Sequence, residues 1–331
     1  MLPIGSIRSF NPLVASSNLA GPTKFKPRKP CVYGVLLFGF VSRMVREISH
    51  SDLTLTSCLP MFTDSHCHLD FPELQSNLTE IRSQMDQAQV SRALCIGTTL
   101  EKFPAVHALA TMHANFWATV GVHPDNDPSD DLQEPTLDDL IQRANLPRVV
   151  GIGETGLDYY RLGERTVADM QWQRDRFRVH IHAAQAVMKP LVIHTRAASA
   201  DTLAILREEG ETEGNQSGGK SAGGVFHCFT ETAEVARAAL DMGFYISFSG
   251  ILTFKTAQDL RDVAAFVPMD RILIETDSPY LAPTPYRGKT NNPSYVPFVA
   301  QQVANIKGLS VEEVGRTTSA NFDALFTGVL I

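Results

Sequence analysis

The sequence predicts an α/β protein whose eight parallel strands close into a (β/α)8 barrel of the TIM type. Short apolar runs alternate with segments of helical spacing along most of the chain. The runs are apolar throughout, which is typical of parallel strands that are buried on both faces. Chemically active side chains recur where these runs end. In a barrel those ends meet at one rim, which is where active sites form.

Eight apolar runs supply the eight strands. They are FTDSHCH, RALCIGTT, FWATVGVHP, RVVGIGETGLD, PLVIHT, GVFHCF, FYISFSGIL and RILIETDSP. The predicted helices cover 79–89, 101–114, 136–145, about 164–188, 198–210, 231–243, 257–267, 294–307 and 310–326. The alternative architecture is an open doubly wound sheet. The one G-x-G-x-x-G match, at 151–156, lies inside the fourth predicted strand and not between a strand and a helix, which argues against a dinucleotide-binding form of it.

Local signals support several helix ends. Thr136 is a favourable N-cap for the helix over 136–145, and Pro104 falls in the first turn of its helix, where proline is tolerated. Gly210 is placed to end another helix. The segment that follows, residues 210–224, is rich in Gly and Ser, so we expect an inserted surface loop there.

Residues 1–60 differ from the rest of the chain. They are rich in Ser, Asn, Pro and Lys, and their apolar run over 32–41 is shorter than the roughly 20 residues of a membrane span. We expect a disordered N-terminal extension, or sequence outside the mature domain, and a hydrolase domain over 61–331 that begins at Met61. A signal or transit segment and a structured cap are the alternatives.

Composition restricts the classes of function. The net charge of −7 is not that of a dedicated nucleic-acid binder. Residues 1–60 hold seven Lys/Arg against two Asp/Glu, whereas the remainder holds 22 against 34. The five cysteines are odd in number and form no C-x-x-C pair, which favours a reduced protein. We therefore expect a cytoplasmic enzyme with no membrane association and no obligate protein partner.

Six side chains that bind divalent cations fall where five of the predicted strands end. They are His66, His68, Glu154, His194, His227 and Asp277. His66 and His68 are two residues apart, so on a strand they point to the same face and could chelate one ion. Four imidazoles and two carboxylates exceed the needs of one zinc ion, so the sequence predicts a two-metal site.

The two carboxylates have distinct predicted roles in catalysis. Glu154 could bridge two cations, because metals in such sites lie about 3.5–4 Å apart, which one carboxylate can span. An ion pair with an arginine at the barrel mouth is the alternative for Glu154. Asp277 could ligate the first metal and accept a proton from the attacking water. Asp158 is expected to order a loop, and Glu275 to join a buried hydrogen-bond network.

The motifs TDSHCHLD, GIGETGLDYY, PLVIHTR, FHCFT and ETDSPYL with a following RGK resemble the TatD family of metal-dependent deoxyribonucleases and related hydrolases. The resemblance covers residues 61–328. It implies a barrel of the amidohydrolase type and two divalent cations per subunit. A set of histidine and carboxylate ligands accepts Mg, Mn, Zn or Ni, so the identity of the metal stays open. The resemblance also implies the ligands of each cation: His66, His68, Glu154 and Asp277 for the first, and Glu154, His194 and His227 for the second.

Two positions depart from the family pattern. Asn292 stands where the family often has the Glu of N-E-P, and Asp125 stands where a second His sometimes follows V-H-P. His123 itself matches, and we expect it to contact substrate or orient the metal site, with a structural role as the alternative. Other candidate substrate contacts follow strand ends, and each could instead be an ordinary surface cation. They are Arg196, Arg287 and Lys289.

The sequence therefore predicts a metal-dependent deoxyribonuclease of the 3′–5′ exonuclease type. A water molecule activated by two metals would cleave phosphodiester bonds at DNA ends. One alternative keeps the site and changes the substrate to another ester or an amide, as in an aminoacyl-RNA deacylase. The other is a non-catalytic metal-binding scaffold. Glu154 favours the resemblance above, because binuclear phosphotriesterase-type enzymes often bridge their metals with a modified lysine from the fourth strand.

Overall fold

The computed structural model describes residues 61–130, 132–211 and 221–330. The predictions for residues 1–60 and for most of the Gly/Ser-rich loop lie outside these ranges. Eight parallel strands pair in sequence order, each with the next. They are β1 (Phe62–Cys67), β2 (Val90–Cys95), β3 (Phe116–Val120), β4 (Val149–Asp158), β5 (Leu191–Arg196), β6 (Gly224–Phe226), β7 (Tyr245–Phe248) and β8 (Ile272–Ile274).

The first and last strands meet and nearly close the barrel. Cys67 at the end of β1 forms an isolated parallel bridge with Ser278, which follows β8. The backbone N–H of His68 donates to the Ser278 carbonyl at 2.9 Å, and that of Asp277 donates to the His66 carbonyl at 3.0 Å. The predicted barrel is confirmed, and the alternative of an open doubly wound sheet is wrong.

Ten α-helices of the described residues surround and follow the strands. They are α1 (Pro72–Gln75), α2 (Leu78–Gln87), α3 (Phe103–Met112), α4 (Leu137–Ala144), α5 (Gln171–Val187), α6 (Ser199–Glu208), α7 (Ala233–Asp241), α8 (Gln258–Phe266), α9 (Val296–Lys307) and α10 (Val311–Leu325). None of these helices combines the length and the apolar character needed to cross a membrane.

Helix boundaries agree with the sequence where a cap defines them. Thr136 accepts a hydrogen bond from the Asp139 N–H and caps α4, as predicted. The helix expected from about residue 164 begins only at Gln171, because Val167–Met170 forms a 3-10 turn. A capping box between Thr166 and Asp169 fixes that turn. The short helix α1 was not predicted.

Side chains alternate along the strands between two apolar layers. On β2, Ala93 and Cys95 pack outward against the helices, whereas Leu94 points into the barrel. Phe322 on α10 and Phe326 directly after it pack against this inner cluster and are fully buried. Burying a side chain of this kind stabilises the fold by about 1.5–3 kcal/mol. The inner apolar layer fills the barrel on the side of α10, and polar side chains lie at the other rim, where the strands end.

Glycine lets β4 lie tightly against β5 where the site begins. Gly156 has φ +128°, and a Cβ atom there would lie 2.0 Å from the His194 carbonyl oxygen. Gly153 has φ +146°, and its Cβ would lie 2.6 Å from the Val192 carbonyl. Only glycine tolerates both restrictions. The strand therefore carries Glu154 to the barrel axis between two obligatory glycines.

Candidate active site

The barrel brings all six predicted metal ligands to its C-terminal rim. His66 lies in β1 and His68 directly follows it, Glu154 lies in β4 and His194 in β5. His227 directly follows β6, and Asp277 follows β8. Because parallel strands end at the same side of a barrel, residues far apart in sequence converge there. Together with His123, their ligand atoms form three overlapping groups of three within 4.8 Å, and these groups combine into two clusters that share Glu154.

The first cluster joins β1 to the segment after β8. The Nε2 atoms of His66 and His68 are 3.3 Å apart. They lie 3.6 and 3.5 Å from Asp277 Oδ1, and 3.4 and 3.9 Å from Glu154 Oε2. Bonds of about 2.1 Å in a tetrahedron separate neighbouring ligand atoms by about 3.4 Å. The spacing of these four donor atoms therefore fits a single divalent cation.

The second cluster surrounds the other oxygen of the same glutamate. Glu154 Oε1 lies 2.7 Å from His227 Nε2, 3.3 Å from His194 Nδ1 and 3.2 Å from His123 Nε2. His194 Nδ1 and His227 Nε2 are 3.4 Å apart. This donor set also fits a divalent cation. The structure thus places His123 beside the second cluster, and its other ring nitrogen contacts the Asp125 carboxylate.

Glu154 presents a different oxygen to each cluster. Its carboxylate is 2% exposed, and its ion-pair partners among the described residues are imidazoles, with no arginine among them. Burial alone raises the pKa of a carboxyl group, but the imidazoles of His227 and His123 outweigh it here and hold the Glu154 pKa well below its usual range. The carboxylate is therefore ionised, as a bridging ligand must be.

Two acidic residues orient the histidines of the second cluster. Asp158 Oδ2 lies 3.1 Å from His194 Nε2, and Asp158 Oδ1 accepts from the Tyr160 N–H at 2.8 Å. Glu275 is fully buried and lies 3.3 Å from His227 Nδ1. Each carboxylate contacts the ring nitrogen that faces away from Glu154, and so holds the other ring nitrogen toward Glu154. The predicted loop-ordering role of Asp158 and the buried network around Glu275 are both present.

Sequence reasoning missed Asp64, which lies beneath the first cluster. This fully buried carboxylate accepts from the Thr276 N–H at 2.9 Å, from the Thr276 hydroxyl at 2.5 Å and from the His66 N–H at 3.2 Å. Burial raises its pKa to about 8 despite these bonds. Asp64 ties β1 to the strand end that carries Asp277. A charged residue inside an apolar strand was the signal available for it.

An open cavity of about 870 Å³ lies over the two clusters. Its size matches a small-molecule or chain-end site. Four basic side chains line it, and of these only Arg196 was predicted. The others are Lys102, Arg161 and Arg165. Arg196 stacks on Tyr160, with the guanidinium carbon 3.7 Å from the ring centroid. The loop after β4 thus supplies cations that strand-end reasoning did not identify.

Arg287 and Lys289 occupy a different position from the one their sequence context suggested. They line a neighbouring cleft of about 450 Å³, and neither lines the cavity over the metal ligands. The two spaces share the residues Tyr280 and Leu281. Arg287 and Lys289 lie on the loop that follows this shared segment. Their side chains therefore lie outside the cavity over the metal ligands.

Comparison with known proteins shows the family to which this chain belongs. The model of the family described as TatD related DNase matches residues 63–327. The metal-dependent hydrolase YcfH of Escherichia coli K12 is 45% identical over 268 residues, which are 80% of this chain and 94% of YcfH. The 3′-5′ ssDNA/RNA exonuclease TatD of Citrobacter koseri is 34% identical over 244 residues, which are 72% of this chain and 88% of that protein.

Solved structures show the same fold. The TatD homologue YjjV of E. coli K12 superposes with a TM-score of 0.71 at 25% identity, and the match covers 81% of this chain and 98% of YjjV. A TatD family hydrolase of Entamoeba histolytica gives a TM-score of 0.69 at 22% identity, with 82% and 99% covered. From the family match and these relatives, the chain belongs to the TatD family of metal-dependent hydrolases.

Proposed function

We propose that this hydrolase cleaves phosphodiester bonds at DNA ends, as a 3′–5′ exonuclease that uses two divalent cations. One observation carries the proposal: Glu154 directs its two oxygens into two separate sets of imidazole and carboxylate donors. A pair of cations so bridged is typical of phosphodiester hydrolysis by in-line displacement. The exonuclease name of the C. koseri relative supports the choice of substrate.

The residues at the rim would provide one ligand set for each cation. His66, His68, Glu154 and Asp277 would hold the first, and Glu154, His194 and His227 the second. Imidazole and carboxylate donors suit Mg, Mn, Zn or Ni. Bound there, such cations lower the pKa of water and offset the charge that develops on phosphate oxygens. Glu154 fixes the relative placement of both sets, which is its catalytic contribution.

Asp277 is suited to act as the general base. Its side chain is 15% exposed, against 0%, 5% and 3% for its neighbours His66, His68 and Glu154. Burial alone would raise the Asp277 pKa, but the hydrogen bond from His68 and the neighbouring imidazoles lower it. An ionised carboxylate at the floor of the cavity can take a proton from the attacking water.

Local basic side chains would hold the substrate phosphates. The protein carries a net charge of −7, so no general field attracts a polyanion. Arg196 and Arg161 lie on the β4–β5 side of the cavity, and Lys102 lies on the side of Phe71. His123 lines the cavity beside Glu154 and would contact a phosphate oxygen there. These residues are the proposed contacts to the chain end.

The test compares metal-reconstituted protein with its Asp277→Ala variant on single-stranded DNA labelled at one end. We expect successive shortening from the 3′ end by the parent protein and none by the variant. Equal digestion by both would remove Asp277 from the mechanism. No digestion of DNA, together with turnover of an aminoacyl-RNA or another small ester, would replace the nuclease proposal by the ester-hydrolase alternative.

A further inference from the structure

A second cleft lies beside the catalytic cavity, and the two are separated by Tyr280 and Leu281. Its polar walls come from the loop after β8, with Arg287 and Lys289, and from Glu73 on α1. Arg287 and Lys289 follow Asp277 by ten and twelve residues on the same segment after β8. A ligand that fills the cavity and continues past Tyr280 would therefore enter this cleft.

The loop with the two cations is fixed to the metal-ligand segment. Asn291 is fully buried, and its side-chain amide donates to the Thr276 carbonyl at 2.8 Å and to the Tyr280 carbonyl at 2.6 Å. Its backbone N–H donates to the Pro279 carbonyl at 3.0 Å. These bonds hold both sides of the loop together, so the cleft keeps a fixed position relative to Asp277.

Both cations are held by aromatic rings rather than by carboxylates. The Arg287 guanidinium carbon lies 3.6 Å from the Phe254 ring centroid, and Lys289 Nζ lies 5.4 Å from that of Tyr286. Within the described ranges, neither side chain forms an ion pair with an acidic group. Their charges are therefore oriented by stacking and available to an anion. The protein as a whole has a net charge of −7, so this pair of positive charges contrasts with the overall charge of the protein.

Tyr280 provides an aromatic surface between the two spaces. Its side chain is 54% exposed, and its ring meets Phe71 edge to face at 6.2 Å between centroids. Phe71 in turn stacks on the ring of His68 at 4.9 Å. An exposed ring beside a basic cleft is the usual arrangement for single-stranded nucleic acids, in which bases stack and phosphates meet cations.

We infer that the cleft of Arg287 and Lys289 binds backbone phosphates of a single-stranded polynucleotide whose end lies in the catalytic cavity, with a base stacked on Tyr280. The inference rests on the proposed function and deepens it. It makes the substrate an extended single strand rather than a dinucleotide or a small phosphodiester. Affinity should consequently rise with chain length until the strand reaches the cleft.

The test is a binding titration with fluorescein-labelled, phosphorothioate-linked oligothymidylates, which resist hydrolysis, and Mn²⁺-loaded protein. Fluorescence anisotropy gives Kd for the dimer and the octamer. The paired substitutions Arg287→Gln and Lys289→Gln should weaken octamer binding by about tenfold and dimer binding by less than twofold. Loss of two phosphate contacts should reduce the slope of log Kd against log salt by about 1.4.

Two further variants separate the contributions. Tyr280→Ala should weaken octamer binding by about tenfold, whereas Tyr280→Phe should not, because stacking needs the ring and not the hydroxyl. Arg237→Gln is the matched control, since Arg237 also stacks on a phenylalanine, Phe266, with 4.5 Å from its guanidinium carbon to the ring centroid, but lines neither space. It should leave both affinities unchanged.

The outcomes distinguish this inference from the proposed function. Equal affinity for dimer and octamer, or equal losses for both in the paired variant, would overturn the cleft as a phosphate site. A length-dependent affinity that the paired variant abolishes supports it. If that result is accompanied by no hydrolysis of any phosphodiester, the cleft stands as an oligonucleotide site and the nuclease proposal falls.

Discussion

The imidazole rings of His66 and His227 stack with their centroids 3.9 Å apart and their planes 10° from parallel. They come from β1 and from the end of β6. Each directs its Nε2 at a different oxygen of Glu154, at 3.4 Å for His66 and 2.7 Å for His227. The stacked pair thus joins the two ligand clusters, and Glu154 is the residue common to both.

Removing the charge of Glu154 should empty both cation sites. A Glu154→Gln side chain keeps the size but offers only one oxygen and no negative charge, so it cannot bridge. We expect metal content, measured by plasma mass spectrometry after gel filtration, to fall from about two ions per chain to below one. Glu164→Gln, an exposed position on the loop after β4, is the control and should retain both ions. Full metal content in Glu154→Gln would exclude the bridge.

Replacing Asp277 by Asn should strongly reduce the rate of catalysis, and it should have little effect on binding of the second cation. The amide keeps one oxygen toward His66 and His68 but accepts no proton at neutral pH. General-base catalysis contributes about 10²–10⁴-fold, so we expect kcat for hydrolysis of single-stranded DNA to fall by at least 10². Steady-state kinetics at saturating Mn²⁺ measures this. A kcat within threefold of the parent would show that another group removes the proton.

Asp158→Asn should weaken the second cation site selectively. The Asp158 carboxylate orients His194 through a 3.1 Å contact with Nε2, and loss of such a support typically costs 10–100-fold in metal affinity. Isothermal titration with Zn²⁺ should show two binding affinities in each protein. In the variant, the affinity of the second site should be lower by this factor, and that of the first site should be unchanged. Asp241→Asn on the exposed end of α7 is the control. Reduction of both affinities alike would indicate a general disturbance of the rim.

His180 predicts a specific loss of stability in acid. It is fully buried, accepts from the Val122 N–H at 3.0 Å, and lies 2.8 Å from the Arg176 carbonyl. Burial lowers its pKa from 6.5 to about 4. The unfolded chain therefore binds a proton at higher pH than the folded protein, so stability is complete above pH 6.5 and falls as the pH drops toward 4. At 1.36 kcal/mol per pH unit, the loss is about 3 kcal/mol.

Urea unfolding at pH 7 and pH 4.5 measures this effect. The variant His180→Gln cannot titrate in this range, so its free energy of unfolding should change less between the two pH values than that of the parent. The difference between the two proteins removes the contribution of every other titrating group. An identical pH dependence in the variant would show that folding does not shift the pKa of His180.

The barrel, and the convergence of the six candidate ligands at its rim, could be predicted because both depend on a short-range pattern. Each buried parallel strand is a continuous apolar run, and each ligand stands at the end of one, as His194 does after VI in β5. The start of α5 was misplaced because its first turn is 3-10, a geometry that residue spacing alone does not distinguish from an α-helix.

Residues on loops were harder to predict. Arg161 lines the cavity from a loop whose path depends on tertiary packing, and nothing in its local sequence indicates that position. Arg287 and Lys289 were identified from the RGK motif, but only the hydrogen bonds of Asn291 reveal that their loop leads away from the cavity to a second cleft. The alternation along a strand predicts which side chains point into the barrel, but it does not predict the path of the loops that follow the strands.

The proposed position of Glu154 between two cations is tested most directly by anomalous diffraction from crystals soaked in Mn²⁺. Two anomalous peaks about 3.5–4 Å apart are expected, one near each carboxylate oxygen of Glu154. One peak would be enclosed by His66, His68 and Asp277, and the other by His194 and His227. A single peak, or two peaks of which only one touches Glu154, would contradict the bridged centre.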